Sequence, residues 1–144
     1  MSHQNPAEET LRELLTRARS IAMVGASSNP ERPSHGVFTR LLRAGYRVIP
    51  VNPQESSVLG QPAVRSLAEV TGEIDIVNVF RRAEATPEIA DAAVAARAKV
   101  LWLQSGIWNE ETAQRAKAGG LTVVMDDCIG VALSRLRVPN KTLA

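Results

Sequence analysis

The sequence has few of the residues from which metal sites and many catalytic sites are built. A single cysteine, Cys128, excludes an internal disulfide and a zinc cluster made of cysteines. The two histidines, His3 and His35, do not stand with carboxylates at a recognisable spacing. Neither a metal site nor a Ser/His/Asp triad is therefore indicated, and we expect no metal.

Long apolar runs are also missing, since none approaches the roughly 20 residues that span a bilayer. The polar N-terminus lacks the apolar segment of a signal peptide, so we expect a cytoplasmic protein with no membrane association. Aromatic residues make up 3% of the chain and do not interleave with the basic residues, and the net charge is only +2. Nucleic-acid binding is therefore not expected.

Short apolar runs alternate with segments whose apolar residues recur at helical spacing. This alternation predicts an α/β, Rossmann-like, doubly wound and mainly parallel sheet of about five principal strands, with helices on both faces. We expect residues 1–144 to form a single domain in which residues 1–8 are a flexible tail. The five predicted strands are Ser20–Val24, Tyr46–Val51, Ile74–Phe80, Val100–Leu103 and Leu121–Met125.

The first predicted strand leads into a glycine loop, which is the stretch most informative about function. Gly25 follows Val24, and after a run of small and polar residues Ser34 is the predicted N-cap of the next helix. Backbone N–H groups in such a loop and first helical turn lack partners, and the helix dipole favours negative charge there. The stretch predicts a phosphate site, in which a side chain at Gly25 would obstruct the ligand.

Ligands of parallel sheets bind beyond the carboxyl ends of the strands, beside the first strand. Arg81 and Arg82 follow the third predicted strand, and guanidinium groups pair well with phosphate, so we expect at least one phosphate contact there. The strand-exit loops that together form the candidate site are Gly25–Ser34, Asn52–Gln54, Phe80–Arg82, Gln104–Gly106 and Asp126–Cys128.

The glycine pattern disfavours NAD as the ligand. A dinucleotide site normally shows G-x-G-x-x-G and an acidic residue at the end of the second strand. Here Gly25 stands alone until Gly36, and the second strand ends in Asn52-Pro53. NADP remains open, because an arginine such as Arg32 or Arg81 could hold its 2′-phosphate.

Eight motifs occur in order along the chain: Val24–Ser27, Asn29-Pro30, Arg32–Ser34, Pro50–Pro53, Asp75–Val77, Phe80–Arg82, Trp102–Ile107 and Met125-Asp126 followed by Cys128. From the first strand to about Arg135 this set resembles the small bacterial CoA-binding proteins. That single-domain family has a fold similar to the CoA-binding domain of the succinyl-CoA synthetase α subunit. Each motif is weak by itself, but the ordered set is specific.

The resemblance implies that the chain binds coenzyme A or acyl-CoA as a non-catalytic carrier, sensor or partner subunit. It implies that the CoA diphosphate lies near Ser27, Ser28, Asn29 and Arg32. The adenosine would lie near Val51, Asn52, Pro53 and Gln54, with Val79, Phe80 and Arg81 on the other wall. The other residues predicted to bind CoA are Gly25, Ala26, Ser34, Arg82 and Gln104. The position before the cysteine, often basic in the family, is Asp127 here, so no phosphate contact is predicted from it.

Three alternatives stay open at this level. A cysteine near a helix N-terminus can be reactive, so Cys128 or Asp126 could serve an acyl-CoA-handling enzyme, and Cys128 is the one weak catalytic candidate. The arginines equally suit an NADP-dependent reductase. The chain could instead act through protein contacts, as a homodimer or with a partner protein.

Overall fold

The fold is organised around a five-stranded parallel sheet, and the computed structural model describes residues 2–141. The sheet order is β2-β1-β5-β6-β7, and every neighbouring pair is parallel. This confirms the predicted Rossmann-like α/β fold. The strands are β1 (Ser20–Val24), β2 (Arg47–Val51), β3 (Ser57–Val58), β4 (Gln61–Pro62), β5 (Ile76–Val79), β6 (Val100–Leu103) and β7 (Thr122–Val124).

Helices cover both faces of the sheet. The helices are α1 (Glu8–Arg17), α2 (Pro33–Arg43), α3 (Thr86–Ala95), α4 (Glu110–Ala118) and α5 (Ile129–Arg135). Residues of α1, α2 and α5 share one buried apolar cluster, whereas α3 and α4 belong to a second. Strand residues alternate between them, with Ile21 and Met23 in the first and Ala22 and Val24 in the second. No helix within residues 2–141 is long and apolar enough to cross a membrane.

β2 is an edge strand, and a short hairpin lies beside it. Pro50 has no N–H to donate, which is tolerated because it faces the outer edge of the sheet. The Val64 amide donates to the Pro50 carbonyl at 2.9 Å, and the Asn52 amide donates to the Val64 carbonyl at 2.9 Å. The segment after β4, the second strand of the hairpin, therefore continues the sheet by one bridge, Val51 to Val64.

The amino edge of the sheet is tied together by Asp75. Its carboxylate accepts hydrogen bonds from the amides of Arg19 (2.7 Å) and Ser20 (3.2 Å), and it pairs with Lys99 at 3.1 Å. Burial by itself would raise the pKa of Asp75, but these hydrogen bonds and the Lys99 charge outweigh it and lower the pKa. The group therefore stabilises the fold in its charged form.

The N-terminal segment, in which the sequence predicts a flexible tail over residues 1–8, is bonded to the rest of the protein at His3 and Asn5. His3 is only 5% exposed, and its backbone amide donates to Glu110 Oε1 at 2.7 Å. The Asn5 side chain donates to the Met125 carbonyl at 2.7 Å and accepts from the Met125 amide at 2.8 Å. Polar bonds rather than an apolar stripe hold this segment, so hydrophobic patterning gave no sign of it; Met1 lies outside the described residues.

Candidate functional site

Two adjacent cavities open at the carboxyl edge of the sheet, and Arg81 lines both of them. The larger, here called the polar cavity, has a volume of about 510 Å³. Nine predicted site residues line it: Gly25, Ser27, Arg32, Ser34, Asn52, Gln54, Phe80, Arg81 and Arg82. Pro33, which belongs to the predicted loop Gly25–Ser34, also lines it, and two residues outside the predicted loops, Glu55 and Ile107, complete the lining. The strand-exit loops of β1, β2, β5 and β6 thus meet in one place.

Gly25 allows the β1 loop to turn directly beside β5. Its φ of +87° is a left-handed conformation that suits glycine, and its amide donates to the Val51 carbonyl at 3.0 Å. A Cβ at this position would overlap the carbonyl oxygen of Phe80. A side chain at Gly25 would therefore strike the neighbouring strand exit, whether or not it would also obstruct a ligand as the sequence predicts.

Ser34 lies in the cavity wall but is not the N-cap that the sequence predicted. α2 begins at Pro33, whose fixed φ suits the first helical position, so the N-cap is Arg32 and Ser34 is the second helical residue. The N-cap residue makes no side-chain capping bond. Ser34 is only 3% exposed, and it is one of the residues that line the polar cavity.

The loop after Gly25 is shaped by its own side chains. The Ser27 hydroxyl oxygen accepts a hydrogen bond from the Asn29 amide at 3.0 Å, and Asn29 Oδ1 accepts from the Glu31 amide at 3.0 Å. Such turns, in which a side chain bonds the backbone two residues on, fix the backbone locally. The loop is therefore ordered before any ligand binds.

Asn52 joins this loop to the exit of β2. Its Nδ2 donates to the Ala26 carbonyl at 2.9 Å, while its Oδ1 accepts from the Gln54 amide at 2.9 Å. Both polar atoms of the side chain are thus used within the protein. Asn52 positions two loops of the site relative to each other.

Three arginines give the polar cavity its charge. Arg32, Arg81 and Arg82 are exposed, and none of them forms an ion pair with any residue of the described range 2–141. By contrast, Arg115 and Arg135 elsewhere on the surface are each paired with two carboxylates. An anionic ligand in the cavity would meet guanidinium groups that are not already engaged.

Glu55 is the residue that the sequence reasoning missed. Its Oε2 accepts hydrogen bonds from the Ser28 amide at 2.8 Å and from the Ser28 hydroxyl at 3.1 Å. The backbone hydrogen bond, followed by the hydroxyl bond, lowers the pKa of the Glu55 carboxyl. A turn after β2, in which the Glu55 amide donates to the Asn52 carbonyl at 3.2 Å, brings this acid back to the β1 loop.

The second cavity, here called the apolar cavity, has a volume of about 320 Å³. Two predicted residues, Val51 and Pro53, line it together with Arg81. The other lining residues are Val24, Arg65, Ser66, Leu67, Ala85, Glu88, Ile89 and Ala92. It is a mainly aliphatic recess next to a basic one.

Five predicted site residues line neither cavity. Ala26 and Val79 are buried in the core, whereas Ser28 and Asn29 are exposed in the β1 loop. Gln104 is 4% exposed, and its Oε1 accepts from the Ile129 amide at 3.0 Å, so its side chain binds the first turn of α5.

The residues of the alternative catalytic hypothesis also lie outside both cavities. Cys128 is the N-cap residue of α5 and is partly buried. Asp126 Oδ1 accepts from the Gly106 amide at 2.6 Å, and Asp127 forms an ion pair with Arg135 at 2.9 Å. Both carboxylates are engaged within the protein.

Comparisons with known proteins identify relatives of this chain. A model of the CoA-binding domain family matches residues 19–134. Protein YneT of Bacillus subtilis (strain 168) is 49% identical over 129 residues, covering 90% of this chain and 96% of YneT. The acetate–CoA ligase [ADP-forming] II subunit alpha of Pyrococcus furiosus is 41% identical over 62 residues, which are 42% of this chain and 14% of that subunit.

A solved structure of similar sequence also has the same fold. A hypothetical protein from Pyrococcus horikoshii OT3 superposes with a TM-score of 0.89 at 36% identity, covering 95% of this chain and 99% of that chain. Its size matches that of the present chain, as does the size of YneT. The chain therefore belongs to the family of small, single-domain CoA-binding proteins.

Proposed function

We propose that the protein binds coenzyme A or acyl-CoA through its nucleotide half at the carboxyl edge of the sheet. The observation that carries the proposal is the polar cavity, which three arginines without ion-pair partners in the described chain line together with residues of the β1 loop. A guanidinium group binds phosphate oxygens with two parallel hydrogen bonds, and 3′-phospho-ADP carries three phosphates. The arginines of the polar cavity therefore suit the phosphates of CoA both in charge and in the hydrogen bonds they can donate.

The diphosphate is assigned to the polar cavity. Ser27, Ser34 and Arg32 line it on the side of the β1 loop and the first turn of α2, where the helix dipole favours negative charge. Ser28 and Asn29 lie in the same loop and offer backbone groups, although their side chains are outside the cavity. Arg82 lines the opposite wall, where it can contact the same phosphates.

The adenosine is assigned to the apolar cavity. Val51, Leu67 and Ile89 offer aliphatic contacts on which a purine ring would lose water-exposed surface. Arg81 lies between the two cavities, and so it is the residue best placed to read the 3′-phosphate on the ribose. Asn52, Pro53 and Gln54 connect the two recesses along the exit of β2.

The proposed role is that of a carrier, sensor or partner subunit rather than of a catalyst. A nucleophile or general base must reach the reacting group of the ligand. Cys128 and Asp126 line neither cavity, and Asp126 is bonded to Gly106. We therefore base no acyl-transfer step on these two residues.

Calorimetry on the purified, ligand-free protein tests the proposal. CoA, acetyl-CoA, dephospho-CoA, NAD and NADP are titrated in parallel. We expect CoA to bind at micromolar concentration or tighter, with little response to NAD or NADP. Preference for NADP would favour a reductase, and absence of binding by every ligand would show that the cavities are not a nucleotide site.

A further inference from the structure

Glu55 places a carboxylate on the loop to which the diphosphate is assigned. It lines the polar cavity beside three arginines, yet it forms no ion pair with any of them. Instead, one of its oxygens takes both hydrogen-bond donors of Ser28, the backbone amide at 2.8 Å and the hydroxyl at 3.1 Å. An amide that binds a carboxylate in this way can bind a phosphate oxygen by the same geometry.

The placement of Glu55 depends on the turn that follows β2. The Glu55 amide donates to the Asn52 carbonyl at 3.2 Å, and Asn52 is itself bonded to Ala26 at the start of the β1 loop. The backbone on both sides of the contact is therefore fixed by other bonds. The Glu55 side chain can leave Ser28 by rotating its own torsions, without unfolding either loop.

Building on the proposed function, we propose that Glu55 occupies the phosphate-binding donors of Ser28 in the absence of ligand and is displaced by the ligand diphosphate. Two anions cannot share the same amide, and their charges repel at this separation. Binding of a diphosphate therefore includes the cost of moving Glu55 away. A ligand that lacks the diphosphate does not compete for Ser28 and is unaffected.

The consequence is a competition between two anions, the Glu55 carboxylate and the ligand phosphate, for the donors of Ser28. A ligand overcomes the carboxylate only if it brings enough phosphate to engage the arginines of the cavity as well as Ser28. Nucleosides, which cannot engage either, gain nothing from this part of the site. Glu55 thus lowers the affinity for ligands that carry the diphosphate and leaves the affinity for nucleosides unchanged.

The decisive variant is Glu55→Gln, which removes the charge but keeps the size of the side chain and one oxygen acceptor. We expect CoA to bind about tenfold more tightly to this variant than to the wild type, because the repulsion is gone. Glu55→Ala, which also frees the Ser28 donors, should tighten binding at least as much. Binding of adenosine, followed by NMR shifts because it is weak, should change by less than about twofold.

Glu31→Gln is the matched control. Glu31 is exposed in the same loop and lines neither cavity, so this variant makes the same change in net charge without touching Ser28. We expect its affinity for CoA to stay within about twofold of the wild type. Equal tightening in Glu31→Gln and Glu55→Gln would overturn the proposal, since a general charge effect would then explain both.

Two further outcomes separate this inference from the proposed function. If the wild type binds CoA but Glu55→Gln binds it equally or more weakly, Glu55 supports the loop or the ligand, and the displacement hypothesis is wrong while the site stands. If neither the wild type nor the Glu55 variants bind CoA, the proposed function itself fails.

Discussion

The two edges of the sheet both carry charged residues but use them differently. At the amino edge, Asp75 is bonded to two backbone amides and to Lys99, so its charge is satisfied inside the protein. At the carboxyl edge, Arg81 and Arg82 follow β5 and form no ion pair within residues 2–141. β5 is thus preceded by a charged residue whose partners lie within the protein, and it is followed by two charged residues that have no ion-pair partner in the described part of the chain.

The difference shows how a binding charge can be recognised. A charged side chain whose partners lie within the fold contributes to the free energy of unfolding, because unfolding exposes those partners to water. A charged side chain without such partners contributes little to stability and can be used by a ligand. Four variants and one control, described below, test this distinction.

Asp75→Asn should give the largest change. The amide cannot accept the same charge-assisted bonds or pair with Lys99, so we expect the free energy of unfolding at pH 7 to fall by about 2 kcal/mol. The pKa of Asp75 is lowered in the folded protein, so its contribution is present above the ordinary value of 3.8 and is lost as the pH falls through the lowered value.

Denaturant unfolding of Asp75→Asn and wild type across pH measures this effect. The difference between the two proteins should shrink as the pH falls below 3.8. CoA affinity should not change, because Asp75 lies at the opposite edge from both cavities. A stability difference that grows on acidification would contradict the assigned ion pair.

Arg81→Ala should have the converse effect. We expect CoA affinity to fall about tenfold or more, and the affinity for dephospho-CoA to fall less, if Arg81 reads the 3′-phosphate. Stability should stay within about 0.5 kcal/mol of the wild type. Calorimetry with both ligands checks this, and equal losses would assign the contact to the diphosphate instead.

Arg43→Ala is the control for this variant. Arg43 is exposed at the end of α2 and lines neither cavity, so the same loss of charge should leave both affinities within about twofold.

Asn5→Ala tests a part of the carboxyl edge where backbone groups form hydrogen bonds with a side chain of the protein itself. Its side chain bonds both backbone groups of Met125, just beyond β7. We expect a loss of about 1 kcal/mol in the free energy of unfolding and no change in CoA affinity. Thermal unfolding and calorimetry measure the two; a weakened affinity would mean that the N-terminal segment also shapes the site.

Cys128→Ser should have the smallest effect. The thiol lies outside both cavities, so CoA affinity should stay within about twofold of the wild type. Calorimetry measures it. A large loss would revive the hypothesis of an enzyme that uses this cysteine.

The sequence predicted those parts of the fold that depend on local signals. Apolar runs gave the five principal strands. Gly45 and Gly120 follow the C-cap residues of α2 and α4 in the left-handed conformation, with φ of +95° and +90°, in which many helices end. Asn109 is of a residue type that favours the N-cap position, and it caps α4, where its Oδ1 accepts from the Thr112 amide at 3.1 Å. Each of these features is decided by residues close together in the chain.

The features that the sequence did not predict depend on contacts between distant residues. Glu55 reaches Ser28 across 27 positions, and Asn5 reaches Met125 across 120. Serine is a common N-cap residue, so the sequence predicted that Ser34 caps α2. The helix instead begins one residue earlier, at Pro33, because the fixed φ of proline suits the first helical position. Gln104 was predicted to bind CoA, and only the fold shows that the Ile129 amide is its partner.

The bridge between Val51 and Val64 also bears on how copies of the chain could associate. An exposed edge strand offers its backbone groups to another molecule, which is a common route to aggregation and to dimers that extend a sheet. Here the Pro50 carbonyl and the Asn52 amide are bonded to Val64, and Pro50 has no N–H to offer. A second copy would have to displace the hairpin before it could add a strand at β2. A homodimer that extends the sheet is therefore not expected at the β2 edge.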